Sequence, residues 1–96
     1  MPKGYIIGHV TVNDPEDYQE YMRRNTPILT GLGGRFIVRG GQCQTVEGTG
    51  RDRHVVVEFP SFEAAHAAYH DPEYQKVAEI RHRTASGDII LVEGSE

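Results

Sequence analysis

Two histidines and a glutamate form the most chemically suggestive group in the sequence. His9 and His54 each lie in a segment typical of a β-strand, and Glu58 follows His54 by four residues. On adjacent strands in a suitable register, these side chains share one sheet face, where an imidazole acts as a general base and a carboxylate orients it. The imidazoles also supply two-thirds of a metal site, or they form hydrogen bonds at a subunit interface. His9 and His54 are thus the candidate catalytic residues, with no metal or other cofactor predicted.

Two arginines are candidates for binding an anion. Arg35 and Arg39 occur in R-F-I-V-R, and on a regular strand both face the same side. A guanidinium binds a carboxylate through two parallel N–H groups, so the two side chains can clamp an acidic ligand. The alternative is an intersubunit ion pair with Glu58 or Glu47, because arginine is common at interfaces.

Tyrosines provide further candidates for ligand binding. Tyr18, Tyr21, Tyr69 and Tyr74 fall on helix positions predicted to face the sheet. An aromatic ring with one polar tip suits the wall of a pocket for a small aromatic or enol ligand, although such rings are more often part of an ordinary core. The predicted ligand-binding residues are Tyr5, Arg35, Arg39, Glu58, Tyr18 and Tyr69.

Two other features have simpler interpretations. His66 and His70 have a helical spacing that can hold zinc, but no glutamate follows His66 as the zinc-protease motif requires. A solvated helix end is therefore favoured. Cys43 has no basic cluster near it in sequence, which leaves a reactive thiol unsupported.

Composition indicates the setting in which the protein acts. Residues 1–96 make one domain. The net charge is −4, and the sequence has no stripe of basic residues that would bind nucleic acid or an anionic membrane surface. Cys43 is the only cysteine, so no intrachain disulfide forms. No apolar run approaches the roughly 20 residues of a membrane span, and residues 1–12 are too short and strand-like for a signal peptide. We expect a cytoplasmic protein that binds neither nucleic acid nor membrane.

The element order follows from periodicity and turn residues. Strands are predicted at 3–12, 35–39, 53–59 and 88–93, with a bulge or bend at Gly40–Gly41 and a ragged extension at 42–47. A first helix begins after the N-cap Asp14, and Pro27 is expected to kink it or start a new one. A second helical segment begins after Ser61, is recapped at Asp71 and ends by Gly87.

This order predicts an α+β fold of the ferredoxin-like βαββαβ type. Two right-handed crossovers joined by a hairpin give a four-stranded antiparallel sheet with both helices on one face and the first and third strands in the middle. One sheet face is uniformly apolar and forms the core: Ile6, Val10, Val12, Phe36, Val38, Val55, Val57 and Phe59. The other mixes apolar residues with Tyr5, His9 and charged groups, so we expect a homodimer with two sheets packed face to face as a dimeric α/β barrel.

Several short segments carry a family resemblance. They are D-P-E-D-Y-Q-E-Y, G-G-R-F-I-V-R-G-G, V-E-G (twice), V-V-V-E-F-P-S and D-P-E-Y-Q, together with Arg81. In these the chain resembles the bacterial family catalogued as domain of unknown function 1330, within the dimeric α/β-barrel superfamily. The resemblance implies the same fold and dimer, and no reaction is established for the family. The wider superfamily includes cofactor-independent oxygenases, isomerases and ligand-sensing domains with a small pocket beside the sheet.

Two function classes stay open. The first is a cofactor-independent enzyme, of the oxygenase or isomerase kind, acting on a small organic acid, phenol or enol in a pocket of Tyr5, His9, His54 and Arg39. The second is a noncatalytic dimer that binds a metabolite or another protein. A hydrated polar pocket with a titratable histidine favours the first. Histidines paired across the dimer favour the second.

Overall fold

A computed structural model describes residues 2–95 and shows a four-stranded antiparallel sheet with strand order β2-β3-β1-β4. The elements are β1 Gly4–Val12, α1 Pro15–Gly31, β2 Arg35–Arg39, β3 Arg53–Phe59, α2 Phe62–Tyr69, α3 Pro72–Thr84 and β4 Ala85–Glu93. The predicted ferredoxin-like order is confirmed, with β1 and β3 in the middle and the second helical segment divided into α2 and α3. No helix formed by residues 2–95 is both long and apolar enough to cross a membrane.

The three helices begin where the capping residues predict. Asp14, Ser61 and Asp71 precede α1, α2 and α3, and each side chain accepts a hydrogen bond from a backbone N–H of the first turn. The carboxylate of Asp71 accepts two, from the N–H groups of Glu73 at 3.0 Å and Tyr74 at 3.1 Å. These caps satisfy donors that the helix itself leaves unpaired.

The helix α1 continues through Pro27. Thr26 does not cap a second helix, because its hydroxyl donates to the backbone oxygen of Met22 at 2.6 Å, one turn earlier. Leu29, beyond the proline, is 3% exposed, so its packing against the core holds the last turn in place. The predicted new helix after Pro27 does not form.

The last strand begins earlier than predicted. The strand β4 starts at Ala85, directly after α3, and Gly87 pairs with Val10 of β1 instead of ending the helix. Gly87 has φ +149°, and a Cβ there would overlap the backbone oxygen of His9. Only glycine fits this close approach of two strands.

The two faces of the sheet differ as expected. The helix-side face contributes Ile6, Val10, Val57 and Phe59 to the core, each at most 5% exposed. We call the opposite side, which carries Tyr5, Ile7, His9, His54, Val56, Glu58, Ile90 and Val92, the outer face. Ile90 and Val92 of the edge strand β4 are 45% and 40% exposed there, so this face presents apolar surface to solvent.

A β-bulge in β2 changes which side chains reach each face. Phe36 pairs with Val57, but Val38 pairs with Val56, so the register shifts between Phe36 and Val38. Val38 consequently joins the outer face, 41% exposed, and Arg39 turns to the helix side. The predicted core position of Val38 and the shared face of Arg35 and Arg39 are therefore wrong, while of the bulge or bend predicted at Gly40–Gly41 the structure has a bend at Gly40. Residues 42–47 also form no strand.

Candidate ligand-binding site

A cavity of about 40 Å³ lies between the helix-side face of the sheet and helices α1 and α3. It has room for about three water molecules, since each needs roughly 10–15 Å³ in this measure. Its walls combine apolar core residues with an unusual number of polar side chains. The polar lining residues are Tyr18, Tyr21, Asn25, Arg39, Arg53, Tyr74 and Arg81.

Two of the arginines enter the cavity from positions that the chain otherwise gives to apolar residues. Arg53 precedes Val55 and Val57 on the helix-side face of β3 and pairs with Val10. Arg81 continues the buried stripe of α3 that includes Val77, and only 8% of it is exposed. The guanidinium of Arg81 is thus held inside the core by its helix, whereas Arg53 is half-buried between the cavity and the surface.

These guanidinium groups lie beside tyrosine hydroxyls, Tyr18 for Arg53 and Tyr21 and Tyr74 for Arg81, but within the described residues they have no carboxylate partner, and several of their N–H groups are unpaired. Arg53 Nη2 donates to the sulfur of Met22 at 3.1 Å, while Arg53 Nε, Arg81 Nε and Arg81 Nη2 are buried without a hydrogen-bond partner. Arg53 lies 5.7 Å from the ring centroid of Tyr18 and Arg81 lies 5.8 Å from that of Tyr21. Among residues 2–95, neither arginine takes part in an ion pair. The aromatic faces offset only part of the desolvation of two cations.

The tyrosines in the cavity act as neutral hydrogen-bonding groups. The hydroxyls of Tyr21 and Tyr74 are 2.7 Å apart, so one donates to the other. Burial raises the pKa of Tyr74, and the neighbouring Tyr21 raises it further. Burial, followed by Tyr21, also raises the pKa of Tyr18, although the nearby Arg53 opposes the shift. At physiological pH the hydroxyls of Tyr18 and Tyr74 are therefore protonated donors and not bases.

The raised pKa values of Tyr18 and Tyr74 predict a loss of stability in alkali. In the unfolded chain a tyrosine has its ordinary pKa of about 10. The folded state keeps Tyr18 and Tyr74 protonated to higher pH. The contribution of Tyr18 and Tyr74 to the free energy of unfolding should therefore be fully present below about pH 10 and fall above it, by about 1.4 kcal/mol per pH unit for each of them. Urea denaturation between pH 8 and 11 measures this. Tyr74→Phe should make the slope shallower, while Tyr5→Phe on the outer face should leave it unchanged.

Arg39 lies at the rim of this cavity. Its guanidinium stacks on the ring of Phe36 at 4.3 Å and donates to the backbone oxygen of Met22, at 3.4 Å, and to the hydroxyl of Thr26. It therefore bridges β2 and α1. The predicted clamp with Arg35 is not formed, because Arg35 remains on the outer face, 3.4 Å from Glu58.

The predicted histidine pair is present on the outer face. His9 and His54 are directly opposite each other on β1 and β3, and their Nδ1 atoms are 2.7 Å apart. Glu58 does not join them, because it pairs with Tyr5 and is four residues further along β3. Within residues 2–95 no group of three His, Cys, Asp or Glu side chains is arranged to hold a metal ion. The pair and the cavity are on opposite sides of the sheet.

The remaining candidates are divided between these locations. Tyr18 lines the cavity, whereas Tyr5 is on the outer face. Tyr69 packs its ring 5.9 Å from that of Tyr74 but is not part of the cavity wall. Arg53 and Arg81 were not among the predicted site residues. Each interrupts an apolar pattern with a charge, which is the sequence signal that would have identified them.

Comparison with known proteins assigns the chain to a family. A family model described as "Domain of unknown function (DUF1330)" matches residues 3–95. The chain belongs to the DUF1330 family. No protein with a curated description matches the sequence.

Solved structures similar to this DUF1330 chain share its fold. A protein of unknown function from Rhodopseudomonas palustris is 21% identical with a TM-score of 0.75, covering 99% of this chain and 82% of that one. SnoaB, a cofactor-independent oxygenase from Streptomyces nogalater, is 13% identical with a TM-score of 0.68, covering 100% and 96%. A dimeric ferredoxin-like protein of unknown function from Thermobifida fusca is 16% identical with a TM-score of 0.56, covering 96% and 89%. At these identities the similarity shows the fold alone.

Proposed function

We propose that this DUF1330 protein binds a small organic molecule in the cavity between α1, α3 and the sheet. The observation that carries the proposal is the convergence of tyrosine hydroxyls and arginine guanidinium groups on a space inside an otherwise apolar core. Apolar walls with a few convergent polar groups are typical of small-molecule sites. A purely structural core has no use for so many polar groups at one point.

The same groups suit chemistry on a phenol or an enol. Arg53 and Arg81 stabilise negative charge, and the tyrosines donate hydrogen bonds to a developing oxyanion. A substrate that ionises readily needs no further cofactor to become reactive here. The fold that the chain shares with SnoaB supports a cofactor-independent oxygenase or isomerase. The alternative is a noncatalytic protein that uses the same cavity only to bind a metabolite.

A thermal-shift screen with small phenols, enols and carboxylates tests this proposal. A ligand at 100 times its Kd stabilises the folded state by about 2.7 kcal/mol, which raises the Tm of a domain of this size by about 10 °C or more. We expect Tyr18→Phe and Arg53→Met to reduce the shift and Tyr5→Phe to retain it. Equal shifts in all variants, or no shift with any compound, would contradict a site in the cavity. Turnover of a bound compound separates the enzyme from the binding protein.

We also propose that the outer face is the contact between two copies of the chain. Val38, Ile90 and Val92 expose apolar surface there, and the similar Thermobifida fusca protein is described as dimeric. Ile90 of the edge strand β4 lies opposite Ile7 of the central strand β1. Ile90→Lys should therefore convert a dimer into a monomer in light scattering, whereas Ala67→Lys on exposed α2 should not. A dimer that persists in Ile90→Lys would place the contact elsewhere.

The contact between His9 and His54 supports a second candidate site on the outer face. In a dimer of this kind the two imidazoles lie between the sheets, where one can act as a general base for a ligand bound there. The alternative is a structural hydrogen bond at the interface. Light scattering and turnover of His54→Ala separate the two hypotheses. An intact dimer without turnover indicates catalysis, and a weakened dimer with normal ligand binding in the cavity indicates a structural pair.

A further inference from the structure

We propose that the molecule bound in the cavity is a carboxylate anion, held side-on by Arg81. This inference rests on the proposed function and specifies the chemical class of the ligand. Three properties of the cavity favour it: the edge of Arg81 that is unoccupied, the balance of charge in the lining, and the size of the enclosed space.

The unoccupied edge of Arg81 has the geometry of a carboxylate-binding fork. Nε and Nη2 lie on the same edge of the guanidinium plane, and their N–H bonds run nearly parallel. Both atoms are buried and have no hydrogen-bond partner, on a residue that is only 8% exposed. Two parallel donors on one edge match the two oxygens of a carboxylate. A phenol has a single oxygen and would leave one of the two donors unpaired. A neutral amide has only one oxygen that can accept, so it would also leave one donor unpaired.

The charge of the cavity also favours an anion. The cavity is lined by Arg39, Arg53 and Arg81. Within the described part of the chain, no aspartate or glutamate lines it. Arg53 Nε is likewise buried without a partner. A buried cation without a counter-ion is costly, so a ligand that brings negative charge gains more here than a neutral ligand of the same shape.

The space indicates where each part of the ligand lies. The cavity of about 40 Å³ accommodates a carboxylate with few additional atoms. At the rim, a more open depression shares Met22, Arg39 and Arg53 with the cavity and extends along α1 to Pro27. The carboxylate therefore binds inside at Arg81, and any larger organic part extends past Arg39 towards solvent.

Matched pairs of probes test this inference. Acetate and acetamide, and benzoate and benzamide, have nearly the same shape and differ in charge. Each is titrated into the full-length protein at constant ionic strength, and the Nε–Hε signals of the arginines are followed by nitrogen-15 NMR. We expect one carboxylate to bind at least tenfold more tightly than its amide and to shift the Arg81 signal. Arg81→Lys, which keeps the charge but not the fork, should weaken binding at least tenfold. Arg83→Met, an exposed position two residues along α3, should not.

The possible outcomes separate this inference from the proposed function. If an amide binds in the cavity as tightly as its carboxylate, the small-molecule site stands and the assignment of an anion is overturned. The same holds if Arg81→Lys binds the carboxylate normally. If none of these probes or the screened phenols and enols shifts any cavity signal, the proposed function fails and the inference fails with it.

Discussion

Arg81→Met is expected to stabilise the ligand-free protein by about 1–3 kcal/mol. Arg81 is a buried cation whose Nε and Nη2 have no partner, and it forms no ion pair within residues 2–95. Methionine retains the length of the side chain and removes the cost of keeping the charge away from water. The attraction to the ring of Tyr21, 5.8 Å away, offsets part of the gain.

Urea denaturation of the ligand-free protein measures this effect. Arg83→Met is the matched control, because Arg83 is mostly exposed, 3.7 Å from Asp17, and should change stability by less than about 0.5 kcal/mol. The stabilised Arg81→Met variant should also lose binding of the carboxylate probe. A residue that lowers the stability of the free protein and enables binding serves function at the expense of the fold. A clear loss of stability in Arg81→Met would show that the guanidinium is satisfied within the chain.

Gly87→Ala is expected to destabilise the protein by more than about 3 kcal/mol, or to prevent folding. The added Cβ would overlap the backbone oxygen of His9 and lie 2.8 Å from the Cα of Val10. Because these are backbone atoms of the central strand β1, neither can move without separating β1 from β4. Gly87 also has φ +149°, which alanine rarely adopts.

Two glycines allow the contributions of strain and collision to be separated. Gly41 has φ +84° with open space around it, so Gly41→Ala should cost only about 1–2 kcal/mol from backbone strain. Gly31 closes α1 with no atom within 4 Å of an added Cβ, so Gly31→Ala should be neutral or stabilising by about 0.5–1 kcal/mol. The Tm measured by thermal unfolding should be highest for Gly31→Ala, lower for Gly41→Ala and lowest for Gly87→Ala. Similar Tm values for Gly41→Ala and Gly87→Ala would mean that the collision is relieved at little cost.

The fold was predictable because its signals are local and mutually consistent. Alternating apolar residues, the caps at Asp14, Ser61 and Asp71, and the turn residues between them all agree with one βαββαβ order. That His9 and His54 share one face of the sheet was predictable for the same reason, whereas their direct pairing was not. Once β1 and β3 are neighbours and their apolar residues must share a face, only registers that differ by two residues remain.

The composition of the cavity was less accessible from sequence. Arg53 and Arg81 were visible as charges within apolar patterns, but a charge at such a position is equally typical of an element end that reaches solvent. Whether it is enclosed depends on the packing of α1 and α3 over the sheet. Arg39 could not be placed at all, because the bulge in β2 that turns it inward has no glycine or other marker at Ile37.

The bulge at Ile37 affects both the rim of the cavity and the outer face. A single substitution, in contrast, would change only one of the two. A regular β2 would present Val38 to the core and Arg39 to the outer face, whereas the additional residue exchanges them. Deleting one residue there would therefore remove an arginine from the rim of the cavity and an apolar side chain from the outer face in a single step. Relatives that differ in the length of this strand should consequently differ in both ligand preference and self-association. An insertion or deletion in β2 would thus change the lining of the cavity and the apolar surface of the outer face together.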